Sequence, residues 1–308
     1  MHPIATVTAV AAARAADRVS PAAAARLTLP LFMSSRPRRP VRPHERAVHE
    51  QARRSSIRVR GRDLAVFEWG QGADTVLLAH GWRGRAAQFA PIVRELRAEG
   101  FRLVAFDAPA NGDSEGRRTD IRDWLAAMEA LQSRHGRFHT IVGHSFGSLA
   151  ALTAAREGVT TGGVVAIAGM SSARYLVDAF GERVGLGSAS RDALGRSFAR
   201  RVRQPSASTA ADDAAAVWRR FDVAELPLPA EVPLLVVHDR GDREVSVSEA
   251  ERVHAAHGER SRYVLSSGSG HTRVLGADAT LDAVVAFTTG GLAAVDAAGL
   301  GSRDTVAG

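Results

Sequence analysis

From residue 57 onward the hydrophobic pattern is regular. Ile57–Arg60 and Leu64–Trp69, separated by Gly61-Arg62-Asp63, alternate apolar and polar side chains, the pattern of an antiparallel hairpin with one wet face. Beyond Gly70 and Gly72 the alternation stops. Thr75–Ala79, Leu103–Phe106, Phe138–Val142, Val164–Ala168 and Leu234–Val237 are short, largely apolar runs, as strands buried on both faces require, and Arg262–Leu265 reads as a further strand. Helical segments lie between them. Gln88–Glu99, Asp120–Arg134, Phe146–Arg156 and Ser248–His257 each run out at or close to a glycine, the residue that caps a helix in the left-handed conformation. Trp124 and Met128 share a helical face and read as core. Strand–helix alternation of this kind predicts a doubly wound α/β sheet, in which chemistry gathers at the carboxyl ends of the strands.

Three segments depart from the alternation. Residues 171–231 carry helical stretches around Ala173–Phe180, Arg191–Val202 and Ala210–Phe221 and no buried strand, which is too much chain for a connecting loop and suggests a helical cap over the strand ends. Residues 1–56 read as a leader. An Ala-rich helix from about Ala5 to Val19 is broken by Pro21, and a second short helix would place Leu27, Leu31 and Phe32 on the body. The run Arg36-Pro37-Arg38-Arg39-Pro40 then reads as a solvated, mobile connector. At the other end, residues 291–308 are rich in Gly and Ala and read as a frayed, flexible tail.

Composition narrows the function classes. The 308 residues contain no Cys, so disulfides, thiolate zinc clusters, iron–sulfur centres and cysteine nucleophiles are excluded. The net charge of +7 is not a nucleic-acid signal: residues 1–60 hold 12 Arg against three acids, and the remainder has 28 Arg against 30 acids. Arg, Asp or Gly interrupts each apolar run before the roughly 18 residues of a membrane span, so no stable span is expected. No basic residue precedes the apolar stretch Ile4–Ala13, which argues against a secretory signal and for a cytoplasmic protein. A homodimer stays open.

The candidate chemistry sits at strand ends. Gly143-His144-Ser145-Phe146-Gly147 has the form Gly-x-Ser-x-Gly between a buried strand and a helix, where a tight turn pushes the serine hydroxyl outward and the helix amides can hold an oxyanion. A serine needs a base, and the base needs an orienting acid. His271 follows the strand Arg262–Leu265, and Asp242 follows Leu234–Val237; Asp239 competes with Asp242 but lies at the strand end rather than in the loop. Thr75–Ala79 runs into His80-Gly81-Trp82-Arg83-Gly84, where Gly81 lets the backbone turn near the nucleophile and the Trp82 amide can join that of Phe146. His44 and His49 around Glu45, and His254 with His257, lack the spacing or the third ligand of a metal site, and His254 and His257 read as surface imidazoles. His135, His139 and His238 read as satisfied structural histidines, so no metal is expected.

Together, His80-Gly81-Trp82, Asp107-Ala108-Pro109-Ala110-Asn111-Gly112-Asp113-Ser114, Gly143–Gly147, the Asp242 loop and Gly270-His271 resemble the α/β-hydrolase superfamily over roughly residues 57–290. The resemblance implies an eight-stranded, mostly parallel sheet with helices on both faces, a helical cap insertion, and cofactor-free serine chemistry through Ser145, Asp242 and His271. Ala110 stands where the family usually has Gly, which puts the shape of that loop in question. A serine at the turn argues against the epoxide-hydrolase and haloalkane-dehalogenase branches, whose nucleophile is an aspartate. The expected substrate is a small-molecule carboxylic ester or thioester with a modest apolar acyl group, with an acidic portion near Arg174, Arg191 or Arg196. Acyl transfer to another nucleophile, C–C bond hydrolysis with the same residues, and a non-catalytic ligand-binding protein are the alternatives.

Overall fold

The computed structural model describes residues 3–203 and 210–301. An N-terminal helical segment consists of α1 (Pro3–Asp17), α2 (Pro21–Phe32) and α3 (Pro43–Glu50), after which β1 (Arg53–Val59) and β2 (Arg62–Trp69) form the antiparallel hairpin. Its turn is Arg60-Gly61 rather than the three residues expected. Both have positive φ, 48° and 77°, and such a turn matches the twist of the flanking strands. The sheet continues through β3 (Thr75–Ala79), α4 (Ala90–Ala98), β4 (Arg102–Phe106), α5 (Ile121–His135), β5 (Thr140–His144), α6 (Phe146–Arg156) and β6 (Val164–Ile167). A helical insertion follows, α7 (Ala173–Val184), α8 (Ser188–Val202) and α9 (Ala210–Arg220). The chain then returns through β7 (Leu234–Asp239), α10 (Val247–His257), β8 (Ser261–Ser266), the single turn α11 (Gly270–Arg273) and α12 (Asp278–Ala297).

Eight strands lie in the order β1-β2-β4-β3-β5-β6-β7-β8, parallel from β4 onward, with β2 antiparallel to β4. The largely apolar runs are the central strands, and β3, β5, β6 and β7 are buried throughout. Two apolar clusters result. One, with Trp124, Met128 and Leu149, packs α5 and α6 on one face; the other, with Phe89, Ile92 and Phe287, packs α4 and α12 on the other. The strand pairing brings the carboxyl ends of β3, β5, β7 and β8 to one edge, so residues 80–84, 145, 242 and 271 leave the sheet on the same side.

The second N-terminal helix packs on the body through Phe32, as expected. Phe32 is 3% exposed and its ring meets Trp82, Phe180 and Phe198 at centroid distances of 5.9, 5.2 and 5.6 Å, joining α2 to the β3 loop and to α7 and α8. Leu27, expected inside, is exposed; α2 buries Ala24, Ala25 and Thr28 instead. The Arg/Pro run is ordered on the body. Arg38 donates to Gly112 O at 2.9 Å and Gly116 O at 3.2 Å, and Arg39 to Glu45 Oε1 at 2.6 Å.

The tail also differs from expectation. Helix α12 continues past a kink at Gly291 to Ala297, with Val295 buried and Asp296 bound to Arg262 at 2.5 Å; residues 302–308 lie outside the described chain. By length and mean hydropathy this helix could cross a membrane, although Asp282, Gly290, Gly291 and Asp296 interrupt it as expected of the apolar runs. Its face of Ala283, Val284 and Phe287 is buried in the sheet-side core, the packing of a core helix.

Phe32→Ala tests the integration of α2. Removing a buried ring with three aromatic neighbours should cost about 3 kcal/mol, read as a lower urea midpoint with an unchanged slope. A dispensable leader would leave the midpoint in place.

Candidate active site

Ser145 sits between β5 and α6 with φ 55° and ψ −124°, a conformation L-residues rarely adopt. Surrounding backbone makes that turn possible only where side chains are missing. A Cβ on Gly143 would lie 2.6 Å from Gly147 O and Ser148 Cα, and one on Gly147 would lie 2.0 Å from Ala79 O. One on Gly81 would lie 2.7 Å from Ser145 Cβ. The glycines of the Gly-x-Ser-x-Gly motif and of the β3 loop therefore serve close approach. The Gly81–Trp82 backbone lies against Ser145, and Phe146 opens α6 beside it.

The structure brings the three predicted residues into one line. Ser145 Oγ lies 2.9 Å from His271 Nε2, and His271 Nδ1 lies 2.7 Å from Asp242 Oδ2. The Asp242 side chain is fully buried, and burial opposes its ionised form. The His271 hydrogen bond and charge, with the amides of Val245 and Glu244, nevertheless hold it below the usual carboxylate value. Asp239 serves the loop instead: its carboxylate accepts from Gly241 N, Ser266 Oγ and Ser269 N, fixing the segment that presents His271. Such a line can deprotonate a serine as it attacks a carbonyl carbon.

Two further histidines organise the site as neutral groups. His80 Nε2 accepts from Ala108 N at 2.9 Å, so its proton is on Nδ1, donated to Gly81 O at 2.7 Å. It ties the β3 loop to the β4 loop, and burial pushes its pKa down to about 4. His144 Nε2 donates to the His271 carbonyl at 2.8 Å, leaving Nδ1 to accept from Gln88 Nε2 at 2.9 Å. Burial, and then the charge of His271, push His144 down to about 3. Gln88 and the role of His144 were not legible in the sequence, where His144 is merely the variable position of the motif.

The β4 loop accommodates Ala110. That residue takes φ 66°, the left-handed conformation for which the family's Gly is suited, and its amide donates to Glu115 O at 2.7 Å. Its carbonyl accepts from Ser35 Oγ at 2.5 Å, so the N-terminal segment clamps the loop.

Four further histidines depart from expectation. His254 and His257 are buried rather than on the surface, with Nδ1 bonded to Ser261 Oγ and to Val253 O. His238 and His135 each keep one buried nitrogen without a partner, Nδ1 and Nε2 respectively. No cluster of three metal-binding side chains occurs among the described residues.

Above Ser145 lies a cavity of about 420 Å³. Its walls combine the β3 loop (Trp82, Arg83), the insertion (Tyr175, Leu176, Phe180, Arg183) and, unforeseen, Phe32 and Arg39 from the N-terminal segment. Arg174, Arg191 and Arg196 are not among its walls; Arg174 pairs with Asp178 and Asp192, and Arg191 with Glu182.

Residues 76–304 match the sequence profile of the alpha/beta hydrolase family, and the chain belongs to that family. Solved structures with the same fold include a bacterial membrane phospholipase A described as a virulence factor, at TM-score 0.53 and 20% identity, covering 78% of this chain and 88% of that one. The esterase RhEst1 from a Rhodococcus species matches at 0.53 and 19%, covering 78% and 99%. A meta-cleavage product hydrolase from Pseudomonas fluorescens matches at 0.52 and 19%, covering 76% and 97%. No curated protein sequence matches the chain.

The depressed histidines predict a pH dependence of stability. Between their folded values near 3 to 4 and the ordinary 6.5, the unfolded chain binds protons that His80 and His144 do not, so stability falls as pH drops through that window. Denaturant titrations at pH 7.5 and 5 should differ by about 2 kcal/mol for each of the two, and His144→Gln should remove its share. Equal midpoints at both pH values would contradict neutral burial.

Proposed function

We propose that the protein is a serine hydrolase that cleaves a carboxylic ester or thioester through an acyl-enzyme on Ser145. The observation that carries this reading is the unbroken line Ser145–His271–Asp242 at 2.9 and 2.7 Å, opening into a cavity large enough for a small acyl group. As Ser145 Oγ attacks the acyl carbon, its proton moves to His271 Nε2, and Asp242 stabilises the imidazolium. The Phe146 and Trp82 amides hold the oxyanion. Collapse breaks the bond to the leaving alkoxide or thiolate, which takes the proton from His271. Water, deprotonated by His271, then attacks the acyl-enzyme and releases the acid. The helical insertion acts as a cap, and its Leu176 and Phe180, with Met170 and Phe32, favour a modest apolar acyl chain.

Ser145→Ala should lower kcat/KM for 4-nitrophenyl esters by roughly a thousandfold or more. Asp242→Asn should lower kcat by a factor on the order of ten thousand, because the imidazole then loses the partner that fixes its tautomer. Undiminished turnover in Ser145→Ala would exclude the mechanism. Product analysis with an added alcohol separates hydrolysis from acyl transfer: free acid as the main product supports the hydrolase, a new ester the transferase.

A further inference from the structure

Arg83 and Arg183 line the cavity above Ser145 from two different elements, the β3 loop and the end of α7. Neither forms an ion pair among the described residues. Among the described residues Arg83 donates to Ser34 O alone, at 3.4 Å. Arg83 is held in the left-handed region at φ 55°. Partial burial and the neighbouring charge of Arg183 both weigh against its charged form. Two like charges thus line one cavity, and neither is paired with an acid among the described residues. Of the other charged groups in the walls, Arg39 is already bound to Glu45 at 2.6 Å. Glu244, from the loop after β7, is the acid of the walls, and it forms no ion pair with either arginine among the described residues. Guanidinium pairs in this arrangement suit carboxylate or phosphate oxygens.

We infer that the substrate carries an anionic group, a carboxylate or phosphate, that docks between Arg83 and Arg183 while its acyl carbon lies at Ser145. This rests on the serine-hydrolase reading and adds a charge requirement to it. The anion belongs either to the far end of the acyl chain or to the leaving group, and the cavity chemistry is the same in both cases.

The test compares matched ester pairs. On the acyl side, 4-nitrophenyl hemiglutarate is set against 4-nitrophenyl valerate; on the leaving-group side, 4-carboxyphenyl valerate against 4-acetylphenyl valerate. One pair should show kcat/KM roughly tenfold higher for the anion, declining as salt is raised. Which pair does so identifies the source. Arg183→Gln should lower that ratio by roughly tenfold, and Arg183→Glu should bring it below one. Ratios at or below one for both pairs in the wild type would overturn the inference, as would a ratio unmoved by Arg183→Gln. Calorimetric titration of Ser145→Ala with glutarate needs no turnover. Binding weakened several-fold by adding Arg183→Gln supports the anion site, and absence of binding together with flat ratios excludes it. Loss of all ester turnover in the wild type with glutarate binding intact would instead refute the hydrolase reading alone.

Discussion

Ser145 is held at φ 55° and ψ −124°, and much of the surrounding architecture follows from crowding at that turn. The conformation costs on the order of 1–3 kcal/mol, so it persists only where neighbouring structure leaves the chain no alternative. β5 is hydrogen-bonded on both sides and cannot shift, α6 begins at the next residue, and the β3 loop packs against the serine through Gly81. Three glycines remove the Cβ atoms that would otherwise collide, and Gly169 does the same beyond β6, where a Cβ would lie 2.7 Å from Ser148 Cβ. The hydroxyl is thereby presented to the cavity and to His271 from a rigid sheet.

Around this fixed point the loops are tied by two neutral imidazoles and one carboxylate. His80 joins the β3 and β4 loops, His144 holds the backbone of His271, and Asp239 gathers the turn before it. Neutral imidazoles can be buried at modest cost because each has a definite donor and acceptor. Asp242 and His271 face one another at 2.7 Å, with only the histidine partly open to the cavity. The position of His271 is set through its main chain by His144 and through its ring by Asp242, so its Nε2 reaches Ser145 without help from a ligand.

How much of this could be read from the chain differs by region. The central strands and the order Ser145, Asp242, His271 were legible because buried parallel strands leave unbroken apolar runs, and short motifs mark where each one ends. Choosing Asp242 over Asp239 was also legible, since an acid in the loop can reach the imidazole while one at the strand end is taken up by nearby amides. In the N-terminal segment the two helices and the packing of Phe32 on the body were legible, but the Arg/Pro run of residues 36–40 was misread. Its Arg and Pro content resembles a solvated connector, yet Arg38 finds backbone carbonyls more than 70 residues away. Local composition carries no record of such partners. The same limit applies to α12, whose Gly pair suggested fraying while Val295 and Asp296 anchor the last turns. The arginines sought on the insertion, Arg174 and Arg191, are paired with acids, while those that line the cavity are Arg83 of the β3 loop and Arg183 at the end of α7.

The central claim is that Ser145 is an activated nucleophile, and labelling with a fluorophosphonate followed by mass mapping of the modified residue addresses it most directly. The account predicts a single adduct on Ser145 in the wild type and none in Ser145→Ala. Its formation should slow strongly in His271→Ala. An unlabelled wild type under conditions that label other serine hydrolases, or an adduct at another residue, would contradict the account.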